Sequence, residues 1–272
     1  MPTSDALPGY DLALKAYHTA FEPELAAAIG RYSLAPDARV LDCPCGDGFY
    51  TNLFAKHMRS GTLVAADLSP AYLDRAKQAV TDAPHELAVQ FVKADAYELP
   101  FDDASFDLVW CAQSMISLDD PSRAIREMAR VLKPGGRVAV LETDDYHHVL
   151  LPWPVSLELA IQNAIREVCK KKYGSGAKFA QSRKLRAEFV EAGLKPTGKT
   201  TIVADRVAPF SPADREFLVR HFEHLRKFVQ PELKTSELDE LNRFTSADDS
   251  DSFLKGADAE LTCLATVCHA TK

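Results

Sequence analysis

The sequence predicts an α/β protein built on a doubly wound, mostly parallel sheet, and two observations predict it. From about Arg39 to Leu141 short apolar runs alternate with amphipathic stretches of helical period. The order is strand then helix throughout, and right-handed crossovers lay such strands side by side with helices on both faces.

The strands are expected at VLDC (40–43), TLVAAD (62–67), AVQFV (88–92), FDLVWCA (106–112) and RVAVLE (137–142). Each is short enough for a strand, and several are rich in β-branched or aromatic residues. The helices between them carry their own punctuation. Ser69-Pro70 pairs a capping residue with a proline at the first helical position, and Leu73, Ala76 and Val80 then fall on one face. Asp120-Pro121 repeats the device ahead of Ile125, Met128 and Leu132. Lys133-Pro134-Gly135-Gly136 stops that helix and returns the chain into the fifth strand.

Outside this core, residues 10–34 predict one or two helices, with Leu12, Leu14, Tyr17, Phe21, Leu25 and Ile29 as the apolar stripe. Residues 146–182 predict an insertion that opens on the aromatic stretch YHHVLLPWP, continues as a helix and ends near YGSG. Tyr146, Leu150, Leu151 and Trp153 in it suit either a lid over a moderately hydrophobic ligand or simple packing on the core. A helix from Arg183 to Ala192, stopped by Gly193, and a last strand at LTCLATVC (261–268) complete the reading. The expected organisation is a single domain over 1–272, with N-terminal helices in 1–36, a core in 37–145, the insertion in 146–182 and the C-terminal part of the sheet with its helices in 183–272.

Composition narrows the function. The chain has 272 residues, 46% hydrophobic and 26% charged, which is ordinary for a folded globular protein. A net charge of -7 opposes binding to phosphate backbones, so no nucleic-acid partner is expected. No apolar run approaches the ~20 residues that span a bilayer, so no membrane partner is expected either. The six cysteines lack CxxC spacing and the N-terminus lacks an apolar secretory region, which predicts reduced thiols, no metal site and a cytoplasmic protein.

In open α/β sheets ligands sit beyond the carboxyl ends of the strands. Three of these ends carry an acid: Asp42 after the first strand, Asp67 after the second, and Asp95 just after the third. Between them Gly46-Asp47-Gly48 turns the chain into a helix and lets backbone approach a ligand closely. S-Adenosyl-L-methionine suits this row, because its ammonium, ribose diol and adenine amine all donate hydrogen bonds and ionised carboxylates only accept them. The rival is a nicotinamide-dependent oxidoreductase, whose GxGxxG fingerprint would need a third glycine where Thr51 stands. A non-catalytic protein that binds the same ligand is the second alternative.

The stretches VLDCPCGDGFYT, VAADLS, KADAYELPFDDASFDLVWC and REMARVLKPGGRVAVLE, covering roughly residues 37–145, resemble the successive motifs of class I S-adenosylmethionine-dependent methyltransferases. The resemblance implies a Rossmann-like, seven-stranded sheet and an enzyme that methylates a small-molecule acceptor, with S-adenosyl-L-homocysteine as product. It implies that Asp42, Gly46 and Gly48 line the methionine end, that Asp67 takes the ribose hydroxyls, that Asp95 and Ala96 meet the adenine with Leu68 against its ring, and that Gln113 faces the methionine end or the acceptor. One position departs from the pattern: Pro44 stands where the family has a small residue, which removes a backbone donor from the turn.

Catalytic side chains are few in such a transfer, and a base is needed only if the acceptor arrives protonated. The candidates follow the fifth strand in Glu142-Thr143-Asp144-Asp145-Tyr146-His147-His148. His147 and His148 are the candidate base, since histidine titrates near neutrality, against the competing reading that one is a surface residue and the other packs its ring.

Overall fold

The structure is a computed structural model that describes residues 11–80, 84–144, 149–175, 180–246 and 252–272. Five parallel strands form its centre: β1 (Arg39–Asp42), β2 (Gly61–Asp67), β3 (Leu87–Lys93), β4 (Phe106–Ala112) and β5 (Leu132–Glu142). A two-residue β6 (Val149–Leu150) and the long β7 (Lys195–Val207) both run antiparallel to β8 (Glu260–Thr271), which also pairs antiparallel with β5. The order is β3-β2-β1-β4-β5-β8-β6, with β7 on β8. The seven-stranded expectation holds with one short addition.

Alternation along the strands feeds two cores, as a sheet covered on both faces requires. Val40, Leu63, Leu108, Trp110, Ala139 and Leu141 face one layer, and Leu41, Val64, Val109, Cys111 and Val140 the other. Helices α1 (Asp11–Ile29) and α2 (Phe49–His57) cover the first; α4 (Pro121–Val131) and α6 (Leu185–Glu191) cover the second. The expected caps form. Ser69 Oγ accepts from Tyr72 N at the start of α3 (Pro70–Ala79), and Asp120 Oδ1 accepts from Arg123 N at the start of α4. In α1 the backbone leaves helical angles at Phe21, two residues before Pro23, so one helix reads as two joined at a kink.

Beyond β5 the chain departs from the expectation in two places. The strand begins at Leu132 rather than Arg137, with an irregular register opposite Phe106 to Leu108. More consequentially, β7 and two further helices, α7 (Pro212–Val229) and α8 (Thr235–Thr245), fill a stretch for which sheet and helices were expected only in general, without bounds. β7 is an edge strand whose residues are mostly exposed, so it lacks the apolar alternation that identifies a half-buried strand. α7 opens on a Ser211/Asp214 capping box with Pro212 at its first turn, the same signal that marks α3 and α4.

The insertion after β5 therefore does not stand alone. Its helix α5 (Val155–Tyr173) buries Leu157, Ile161, Ala164, Ile165 and Cys169 against Leu225 and Val229 of α7 and Leu241 of α8. Trp153, expected either to cover a ligand or to pack, stacks on Phe244 at 4.8 Å and meets Phe222 edge-on. α7 in turn packs on α1, with Phe21 and Phe217 at 4.9 Å, and Arg206 of β7 bonds Glu24 and Asp214. Removing a side chain from the α5/α7/α8 core leaves a cavity, so Leu157→Ala should cost about 2–5 kcal/mol. The loss should appear in urea unfolding or as faster amide exchange across all three helices; a change confined to α5 would show that they do not unfold together.

Candidate active site

The carboxyl edge of the parallel strands gathers the predicted acids. Asp42 ends β1 at 1% exposure, and its Oδ2 accepts from the Thr51 hydroxyl at 2.6 Å. Burial, with smaller contributions from the neighbouring Asp67 and Asp47 carboxylates, pushes the Asp42 carboxyl up to about 7 against the opposing Thr51 bond. The third position of a dinucleotide fingerprint is thus filled by a side chain that serves the first acid.

The turn that follows is tied to both neighbouring strands. Cys43 N donates to Trp110 O and Cys45 N to Ala66 O, each at 2.9 Å. Gly46 (φ 52) donates its N–H to Asp67 Oδ2 at 3.0 Å, and a Cβ built on it would meet nothing within 4 Å. Gly48 (φ 85) is different: a Cβ there would fall 2.5 Å from Ala76 Cα, so the close approach of α3 to the turn requires glycine.

Asp67 ends β2 and uses one oxygen for Gly46 N and the other for Ser69 N (2.9 Å). A carboxylate has about four acceptor positions, so acceptor capacity remains. Burial raises its pKa, and the backbone donors of Ser69, Gly46 and Leu68 pull the other way. Leu68 beside it is half-buried. After β3, Asp95 Oδ1 accepts from Tyr97 N at 2.9 Å, Ala96 is buried, and the Tyr97 hydroxyl accepts from Asp119 N and Asp120 N. The structure brings Asp42, Gly46, Gly48, Asp67, Leu68, Asp95 and Ala96 to one edge.

Gln113 follows β4 with φ 51, and its N–H donates to Leu141 O at 2.8 Å. Its Oε1 accepts from His18 Nε2 at 2.8 Å and from the Tyr50 hydroxyl at 3.1 Å. His18 was not predicted for the site: it lies 95 residues away on α1 and is not among the residues of the stripe expected there. Glu142, at the end of β5, is fully buried and its Oε1 accepts from Ser114 N and Met115 N, holding the loop after β4. Asp144 takes Arg183 Nε. His147 and His148 lie outside the described residues. Among the described residues no group of three or more His, Cys, Asp or Glu could hold a metal ion, the six cysteines are free and buried, and no helix is long and apolar enough to cross a membrane.

The Asp42 titration has a measurable consequence. The folded chain holds this proton up to about 7, whereas an unfolded carboxyl releases it near pH 4, so the free protein loses stability as pH rises between these values and the loss is complete above about 7. The stability advantage of Asp42→Asn over wild type should grow from about pH 5 to about pH 8 in denaturant titrations. A difference that stays flat across that range would mean Asp42 ionises like a surface acid.

Known proteins resemble this chain at both levels. Residues 41–140 match the family model described as "Methyltransferase domain". The chain is 32% identical over 217 residues to 27-O-demethylrifamycin SV methyltransferase of Amycolatopsis mediterranei, covering 79% of this chain and 74% of that one. It is 41% identical over 105 residues to the ubiquinone/menaquinone biosynthesis C-methyltransferase UbiE of Idiomarina loihiensis, covering 38% of this chain and 42% of the relative. Among solved structures, a SAM-dependent methyltransferase from Methanosarcina mazei superposes with TM-score 0.51 at 18% identity, covering 88% of this chain and 94% of that one. The cyclase SpnF superposes with TM-score 0.55 at 20% identity, covering 97% and 93%. Both are likenesses of fold.

Proposed function

The chain belongs to the class I S-adenosylmethionine-dependent methyltransferases, and from that we propose that it moves a methyl group from S-adenosyl-L-methionine to a small, moderately hydrophobic acceptor. The observation that carries the reading is the row of Asp42, Asp67 and Asp95 along one sheet edge, around a turn whose Gly46 leaves open space. When bound, the donor supplies a methyl already activated on a sulfonium.

The residues divide that ligand by chemistry. Asp67, with acceptor positions left over, suits the ribose diol; Asp95 and Ala96, with Leu68 against the ring, suit the adenine; Asp42, Gly46, Gly48 and Gln113 suit the methionine end. A buried Asp42 becomes an effective partner for a cation when it ionises. The protein's remaining task is to hold donor and acceptor together and exclude water. The Thr51–Asp42 bond and the missing third glycine favour this over a nicotinamide enzyme. The names of the relatives, one for 27-O-demethylrifamycin SV and one for ubiquinone/menaquinone biosynthesis, support a small-molecule acceptor. The net charge of -7 opposes nucleic acid, and six free thiols suit the reducing cytoplasm.

Titration calorimetry should detect S-adenosylmethionine and S-adenosylhomocysteine and no NADH; tighter NADH binding would sink the reading. Asp67→Ala should weaken donor binding by about 1.5–3 kcal/mol, roughly ten- to a hundredfold in Kd. An unchanged Kd would remove Asp67 from the donor site. Where the acceptor is a hydroxyl, His147 or His148 serves as base, and replacing both by Ala should lower turnover by ~10²–10⁴ at unchanged donor affinity. Wild-type turnover in that double variant at every pH would end the assignment.

A further inference from the structure

His18 is a buried ring at the candidate site to which the donor reading gives no task. It is 5% exposed, lies face to face on Phe49 at 4.0 Å with 6° between the planes, and meets Tyr50 edge-on. Its Nε2 is bonded to a carbonyl oxygen, Gln113 Oε1, and such an oxygen only accepts. Its Nδ1 is buried with no partner among the described residues, and a bare nitrogen there costs less than an unpaired N–H, so the neutral ring carries its proton on Nε2 and donates it to Gln113. Burial lowers its pKa, which keeps the ring in that neutral form near neutrality.

The consequence falls on Gln113. Two donors, from His18 and Tyr50, converge on its oxygen, so the amide has one orientation, with its NH₂ directed away from them. No hydrogen bond of the described residues engages that nitrogen. The backbone gives the side chain a fixed base, because the left-handed conformation at Gln113 is held by its N–H bond to Leu141 O.

We propose that His18 is a positioning residue for cofactor recognition: with Tyr50 it turns the Gln113 amide so that its NH₂ donates to the carboxylate at the amino-acid end of S-adenosylmethionine. The proposal rests on the donor-site reading above and deepens it. An NH₂ group offers donors only, so it selects an anion, while the buried Asp42 selects a cation. The ammonium and the carboxylate of the ligand's amino-acid end are then sorted between two strand ends, β1 and β4.

The test compares dissociation constants, by calorimetry, for S-adenosylmethionine and for its decarboxylated analogue. Wild type should prefer the carboxylated ligand by about tenfold or more. His18→Leu should bring the two within about twofold while leaving the analogue's own Kd nearly unchanged. His18→Gln, whose amide nitrogen replaces Nε2 as donor, should restore most of the preference. A folded His18→Leu protein that keeps the wild-type ratio overturns the proposal. If thermal melts show that variant unfolded, Gln113→Met and Tyr50→Phe read the same ratio, and an unchanged ratio in both overturns it equally. Failure of the wild type to bind either ligand would overturn the donor reading itself, and this proposal with it.

Discussion

The hydrogen bond from Gly46 N to Asp67 Oδ2 is the constraint around which the site is arranged. It ties the turn leaving β1 to the end of β2, and the other Asp67 oxygen, bonded to Ser69 N, starts α3. α3 then approaches so closely that only glycine fits at 48. Without the carboxylate, the turn would lose its lateral anchor, α3 its entry geometry and the edge one of its acids. The group proposed above for the ribose thus also shapes the loop beside it.

This arrangement gathers negative charge in a region shielded from water. Asp42 and Asp67 both have raised pKa values, with burial the largest cause, and the Asp67 carboxylate adds to the cost at Asp42. A fold tolerates such a cost when a ligand relieves it, since a bound cation favours the ionised form that burial disfavours. Raised carboxyls of this kind are what the proposed donor, with its cationic end, would relieve.

The segments outside the parallel strands act through packing. α5, α7 and α8 share one small core, although α5 comes from one crossover and the other two from the next. α7 presses on α1 through Phe217, and α1 carries His18 to the end of β4. The surroundings of Gln113 thus depend on helices from both ends of the chain.

The strand and helix order of the parallel core, the caps at Ser69 and Asp120, and the acids at Asp42, Asp67 and Asp95 were all legible in the sequence. Each is encoded locally: an apolar run, a cap beside a proline, an acid where a strand stops. β7 was not legible, because an exposed edge strand has no apolar alternation to display. α7 announced itself by a capping box that the reading passed over. His18 was beyond reach for a different reason. Its partner is 95 residues away, and nothing in the sequence of α1 distinguishes a histidine that packs from one that also donates a hydrogen bond. Chain order determined which residues arrive at the carboxyl edge of the strands, since strand ends are written in short stretches of sequence. Only the packing of α1 on α2 and α7 decided which side chain from outside the sheet meets them, because a tertiary contact leaves no mark at either of its two positions alone.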